Sequence, residues 1–163
     1  MFQDEVSKEL PPIRDIEHQV DFILGSVIPN EPAYRVNPIE TKEIQRQVEE
    51  LMEKGYIRES LSPCSIRDLL VPKKDKTWRM CMGNRVINKI TVKYRHRIPR
   101  LDNMLDLLHD LCLFIKIILK SRYHQIRMHV GDEWKTTLKI KFRLYEWLVM
   151  PFGLTNAPST LCA

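Results

Sequence analysis

Apolar residues recur along this 163-residue chain with two different periods. In "NPIETKEIQRQVEELMEKG", Ile44, Val48, Leu51 and Met52 share one face of a 3.6-residue helix. Asn37 can cap that helix, Pro38 suits its first turn and Gly55 suits its stop. A second helix is expected over "PRLDNMLDLLHDL", where Leu101, Met104, Leu105 and Leu108 stand at i, i+3, i+4 and i+7. "LLVPKKDKTWRMCM" predicts two strands joined by a tight basic turn at residues 73–76. The run 111–119 in "LCLFIKIILKSRYHQIRM" predicts a buried strand leading into a short helical turn. Further strands are expected at "WKTTLKIKF" and "YEWLVM", and a new helix or turn in "PFGLTNAPSTLCA". Residues 1–37, rich in Pro, Gly and Asn, form an expected extended arm ahead of a unit over 38–163. Strands and helices mix without βαβ regularity, so the fold class expected is α+β.

A hydrophobic content of 44% with 29% charged residues is enough to build one core and argues against wholesale disorder. Cys64, Cys81, Cys112 and Cys162 are widely spaced and form no C-x-x-C pair, which argues against a disulfide framework or a zinc site. The polar start "MFQDEVSKELPP" carries no signal-peptide pattern. The longest apolar run is broken by Lys116 and is too short to span a bilayer. A soluble intracellular chain, cytoplasmic or nuclear, is the expectation.

The net charge of +5 is unevenly spread. Residues 1–66 carry 7 basic and 13 acidic side chains, residues 67–100 carry 11 and 2, and residues 101–163 carry 8 and 6. A central block this basic is the footprint of a polyanion partner or, equally, of a solvated basic face. Trp78, Tyr94 and apolar residues interleave it, so it belongs to a folded surface rather than a tail.

Several stretches then resemble one family. "ETKEIQRQVEELMEKGYIRESLSPCS", "VPKKDKTWRMCM", "YRHRIPRLDNML", "LKSRYHQIRM" and above all "LYEWLVMPFGLTNAPST" are similar to the reverse transcriptase of Ty3/gypsy-type LTR retrotransposon Pol polyproteins, over about residues 10–160. The resemblance implies the fingers and an incomplete palm of a right-hand polymerase. Lys73 and Lys74 match the fingers-hairpin lysines that meet the incoming triphosphate, and Arg79 matches the arginine that grips the same phosphates. Tyr123 stands at the sugar-discriminating position, and Phe152 with Gly153 matches the segment lining the nucleotide pocket. Arg85, Lys89, Lys93 and Arg95 extend the basic surface expected to hold nucleic acid. The partners implied are an RNA or RNA–DNA hybrid template–primer and a dNTP; neither a membrane nor a protein partner is indicated. Asn156 and Pro158 fit the cap and turn of the next helix. Trp134 and Trp147 fit packing roles.

The centre of that site is altered. Two-metal phosphoryl transfer needs carboxylate ligands for Mg²⁺ or Mn²⁺. The family's reading "F-S-K-I-D-L-K-S-G-Y-H-Q-I" is here "FIKIILKSRYHQI", with Ile118 in place of the first aspartate. The other two belong to a Tyr-x-Asp-Asp hairpin further along the family's chain, and the sequence stops at Ala163 ahead of it. No metal cofactor is therefore expected for this chain. Asp102, Asp106 and Asp110 share a solvated helical face, and Asp132 and Glu133 lie in a loop without catalytic duty. Arg122, Lys76 and Arg143 replace family glycines, and Gly83 with Asn84 replaces an acid and a small apolar residue, while Arg85 remains. Three readings stay open. One is a catalytically inactive fragment of a retrotransposon RNA-directed DNA polymerase, one a non-catalytic nucleic-acid-binding or interaction module derived from it. The last is a polymerase subunit completed by another chain, which Ile118 opposes.

Overall fold

The computed structural model describes residues 10–33, 36–72, 77–94, 102, 105, 106, 109, 113, 122–141 and 143–162. The best-signalled element is helix α1, Pro38–Glu53. Asn37 accepts from the Glu40 N–H at 2.8 Å while the Glu40 carboxylate accepts from the Asn37 N–H at 3.1 Å, a reciprocal cap. Pro38 occupies the first turn, where its missing N–H is of no consequence. Ile44 and Val48 are buried, Leu51 is half-buried, and Met52 at the end of the stripe is exposed.

Five strands build the main sheet, in the order β2–β7–β6–β3–β4: β2 Ile57–Glu59, β3 Ile66–Pro72, β4 Trp78–Met82, β6 Leu138–Lys139 and β7 Leu144–Trp147. β3 and β4 form the expected hairpin, antiparallel from Asp68↔Met82 to Pro72↔Trp78. β3 runs parallel to β6, and β7 is antiparallel to both β6 and β2. A second, two-stranded sheet joins β1 Glu17–His18 to β5 Arg127–Met128 in parallel. Short helices α2 Arg85–Ile90 and α3 Ala157–Cys162 complete the described elements, with 3-10 turns at Arg122–Gln125 and Glu133–Thr136.

Two hydrophobic clusters hold these elements together. One gathers Val20, Cys64, Ile66, Ile87, Met128 and Met150, with Tyr123 and Trp134 against it. The other gathers Ile44, Val48, Ile57, Leu138, Tyr145 and Trp147. Trp134 and Trp147 thus have the packing roles expected of them. Each fully buried aliphatic side chain contributes roughly 1.5–3 kcal/mol.

The extended N-terminal segment is built into the core. Val20 and His18 are each 1% exposed. Its anchor is one charged pair: Asp132 accepts the Val20 N–H at 2.8 Å, while Lys135 Nζ donates to the Val20 carbonyl at 2.6 Å and to Asp132 at 2.5 Å. The same ammonium lies 5.5 Å from the Phe22 ring centre and 5.8 Å from that of Trp134. The loop acid Asp132 is therefore structural.

The strand expected at "WKTTLKIKF" is shorter than its pattern. Residues Glu133–Thr136 coil into a 3-10 turn, and only Leu138–Lys139 pair in the sheet. The Thr136 hydroxyl donates to the Glu133 carbonyl and the Thr137 hydroxyl to that of Trp134, local bonds that compete with the ladder. Of the second expected helix, Asp102, Leu105 and Asp106 are described and helical. Leu101, Met104 and Leu108, and the expected strand 111–119 apart from Leu113, lie outside the described residues.

Candidate functional site

Two motifs far apart in the chain meet at one place. Tyr123, in the 3-10 turn of "SRYHQ", sets its ring edge-on to that of Phe152, with centroids 5.2 Å apart and planes at 88°. Phe152 is 60% exposed and Tyr123 half-buried, so the pair forms an aromatic wall open to solvent. Gly153 follows at φ +94°, a conformation that side-chain-bearing residues rarely adopt. A Cβ there would come within 3.2 Å of Asn84 Nδ2.

Asparagines fix this segment to α2. Asn84 Nδ2 donates to the Phe152 carbonyl and Asn88 Nδ2 to the Gly153 carbonyl, each at 2.8 Å. Asn88 Oδ1 accepts the Thr155 N–H at 2.9 Å, so one carboxamide spans the bend. Asn156 answers from the other side, donating to the Val92 carbonyl and accepting the Tyr94 N–H. Its side chain is spent on that link, and only its backbone carbonyl serves the start of α3, accepting from the Thr160 N–H. The expected side-chain cap is thus replaced by a clasp. Asn84 is 4% exposed with no partner for Oδ1 among the described residues, and its amide N–H is what holds Phe152.

Along the clasped segment the basic residues face outward. Arg85 and Lys89 lie one helical turn apart on α2, and both are exposed, as are Lys93 and Arg79. Among the described residues no carboxylate pairs with any of these four. The anionic groups nearby are otherwise engaged: Tyr94 donates to Asp21, which lowers the Asp21 pKa and raises that of the tyrosine. Behind the wall, His124 stacks on Trp147 with centroids 5.4 Å apart, and burial lowers its pKa. It serves packing.

The structure therefore brings Tyr123, Phe152 and Gly153 to one corner and places Arg85, Lys89 and Lys93 on the segment tied to it. Arg79 lies on β4. Lys73, Lys74, Arg95 and Ile118 lie outside the described residues. Sequence reading missed Asn88 altogether and saw in Asn84 only a substitution. A lone Asn in an amphipathic helix carries no pattern that announces a carbonyl partner in a loop.

Comparison with known proteins gives a consistent picture. The model of the family described as "Reverse transcriptase (RNA-dependent DNA polymerase)" matches residues 71–162. An RNA-directed DNA polymerase homolog of Oenothera berteroana is 45% identical over 84 residues, 52% of this chain and 59% of that protein. The retrovirus-related Pol polyprotein from transposon 297 of Drosophila melanogaster is 39% identical over 123 residues, covering 72% of this chain but 12% of the polyprotein. The transposon Tf2-3 polyprotein of Schizosaccharomyces pombe is 29% identical over 94% of this chain, again 12% of its own length. The chain thus spans a fraction of each relative. In fold it resembles the foamy viral protease–reverse transcriptase solved in complex with RNA/DNA hybrid, with a TM-score of 0.67 and 22% identity over 86% of this chain and 19% of that one. The form solved with double-stranded DNA gives a TM-score of 0.66 and 21% identity over 89% of this chain and 25% of the other.

Proposed function

Since the chain belongs to the reverse transcriptase (RNA-dependent DNA polymerase) family, as a Ty3/gypsy-type retrotransposon segment, we propose that it holds an RNA–DNA template–primer without itself joining nucleotides. The carrying observation for holding is the corner where Tyr123 meets Phe152, tied by Asn84 and Asn88 to a helix with outward Arg85 and Lys89. Unpaired cations on one segment bind phosphates by releasing counterions, with little regard to base sequence. Exposed Lys93 lies further along the same segment, and Arg95 is a further phosphate contact implied by the sequence. Lys73, Lys74 and Arg79 on the fingers hairpin meet the triphosphate of an incoming dNTP, and Tyr123 lies beneath its sugar. A forked guanidinium and compact ammonium groups match phosphate oxygens.

The second half of the reading rests on Ile118. The family's reaction draws its Mg²⁺ or Mn²⁺ ligands from aspartates, and isoleucine offers no lone pair. Among the described residues no three His, Cys, Asp or Glu side chains cluster closely enough to hold a metal ion. Isoleucine at position 118 does not fit the metal, so no catalytic step is derived through it. Extension of a labelled primer on an RNA template, with Mg²⁺ or Mn²⁺ and all four dNTPs, tests this. No product above a protein-free control is expected; steady extension would refute it.

A further inference from the structure

Among the described strands β4 lies at the edge of the main sheet, and edge strands leave a row of unmet peptide groups. Here one side chain meets two of them. Gln47, half-buried on α1, donates from Nε2 to the Trp78 carbonyl at 3.1 Å and accepts at Oε1 from the Met80 N–H at 3.0 Å. Those two groups flank Arg79. The pair of bonds is the one that a residue of a parallel neighbouring strand would make. The carboxamide thus stands in for a sixth strand. By the alternation of the ladder, the peptide groups of Arg79 itself turn inward to β3, where Arg79 pairs with Val71.

The amide is itself held in place. Its second N–H donates to Glu43 Oε1 at 2.6 Å, and Arg46 grips that carboxylate at 2.7 and 3.0 Å. The hydrogen bond from Arg46, aided by Gln47, lowers the Glu43 pKa to about 2, so the carboxylate stays charged. All three hydrogen-bonding sites that the carboxamide turns toward the protein are occupied, and its orientation follows.

What this fixes is the face on which Arg79 projects. Met80 packs against the cluster under α1, while Arg79 is exposed. A one-residue slip of β4 against the helix would exchange them. The geometry points to Gln47 as the positioning residue for Arg79: it locks the fingers hairpin to α1 in the register that presents the guanidinium outward. The inference rests on the reading of Arg79 as a triphosphate contact and adds to it a residue that touches no ligand.

Double-variant analysis separates the two. dTTP is titrated calorimetrically into the full chain saturated with RNA–DNA primer–template, for Gln47→Met, Arg79→Ala and both together. Gln47→Met keeps the length and helix preference of the side chain but loses both bonds. It is expected to weaken dTTP about fivefold, with an unchanged circular dichroism spectrum and faster hydrogen exchange at the Met80 amide. The double variant should bind no worse than Arg79→Ala alone, because Gln47 acts through Arg79. Gln47→Ala, which loses the same bonds, keeps helix preference and brings no charge beside Glu43, should behave like Gln47→Met and covers the case in which Gln47→Met folds poorly. If Arg79→Ala leaves dTTP affinity unchanged, the triphosphate reading fails and Gln47 loses its role with it. If Arg79→Ala weakens binding but neither Gln47 variant does, or the two effects multiply in the double variant, the positioning role is overturned and the reading of Arg79 survives.

Discussion

The Tyr123 ring stands edge-on to Phe152 at 5.2 Å, joining the turn after one motif to the loop that opens the next. On the proposal that this ring lies beneath a nucleotide sugar, it would leave no room there for a 2′-hydroxyl. Tyr123→Ala should then reduce the preference of the primer–template-bound chain for dUTP over UTP, which differ only at the 2′ position, by about tenfold. Calorimetric titration of both nucleotides measures it. An unchanged ratio would mean that the ring only packs.

Gly153 is predicted to tolerate no side chain. Its φ of +94° and the 3.2 Å approach to Asn84 Nδ2 add strain to crowding. Gly153→Ala should lose roughly 1–3 kcal/mol. Asn88→Ala, which removes the bonds to Gly153 and Thr155, should lose about 1–2 kcal/mol. Urea unfolding of each variant gives the numbers, and wild-type stability for both would contradict the clasp.

The Asp132–Lys135 pair predicts a non-additive result. Their side chains are 10% and 15% exposed, and together they hold both peptide groups of Val20. Asp132→Ala strands the ammonium and should destabilise the fold by about 3–5 kcal/mol. Asp132→Ala with Lys135→Met removes the stranded charge and should be less damaging than Asp132→Ala alone. Denaturant midpoints for the three proteins decide it; a double variant worse than the single would refute the account.

His18 gives the chain a sensitivity to acid. Its Nδ1 lies 2.8 Å from the Thr160 hydroxyl, and burial lowers its pKa from 6.5 to about 4 against the opposing pull of Asp132. The unfolded chain takes up this proton near pH 6.5 and the folded chain only near pH 4. The contribution is therefore complete above pH 6.5 and lost as pH falls toward 4, up to about 3 kcal/mol. Burial lowers the His124 pKa as well, which adds a loss of the same sign. His18→Asn, which keeps a polar group near Nδ1, should flatten the fall in melting temperature between pH 6.5 and 4. Parallel curves for the two proteins would contradict this.

Much of the fold was legible where the signal is local. Asn37 and Pro38 announce the start of α1, and the hairpin declares itself by two apolar runs around a basic turn. Pairings between distant segments were not legible. Gln47 meets β4, Asn88 meets Gly153 and Asp132 meets Val20 across long loops, and a polar side chain bonding a peptide group leaves no periodicity. Threonine misled in the other direction. Its strand preference extended the expected strand through Thr136 and Thr137, whose hydroxyls instead close a turn. Tyr123, Phe152 and Gly153, which the fold brings together, were singled out because they lie in motifs whose order is specific. The asparagines that hold the last two were not.

Fluorescence anisotropy of a labelled RNA–DNA primer–template, titrated at several salt concentrations with the wild-type chain and with Arg85, Lys89 and Lys93 all changed to Ala, is the decisive experiment for the proposed holding of nucleic acid. Saturable binding is expected, with a logarithmic salt slope that is steep for the wild type and shallower by up to about three in the triple variant. Absence of binding, or the same slope for both proteins, would contradict it.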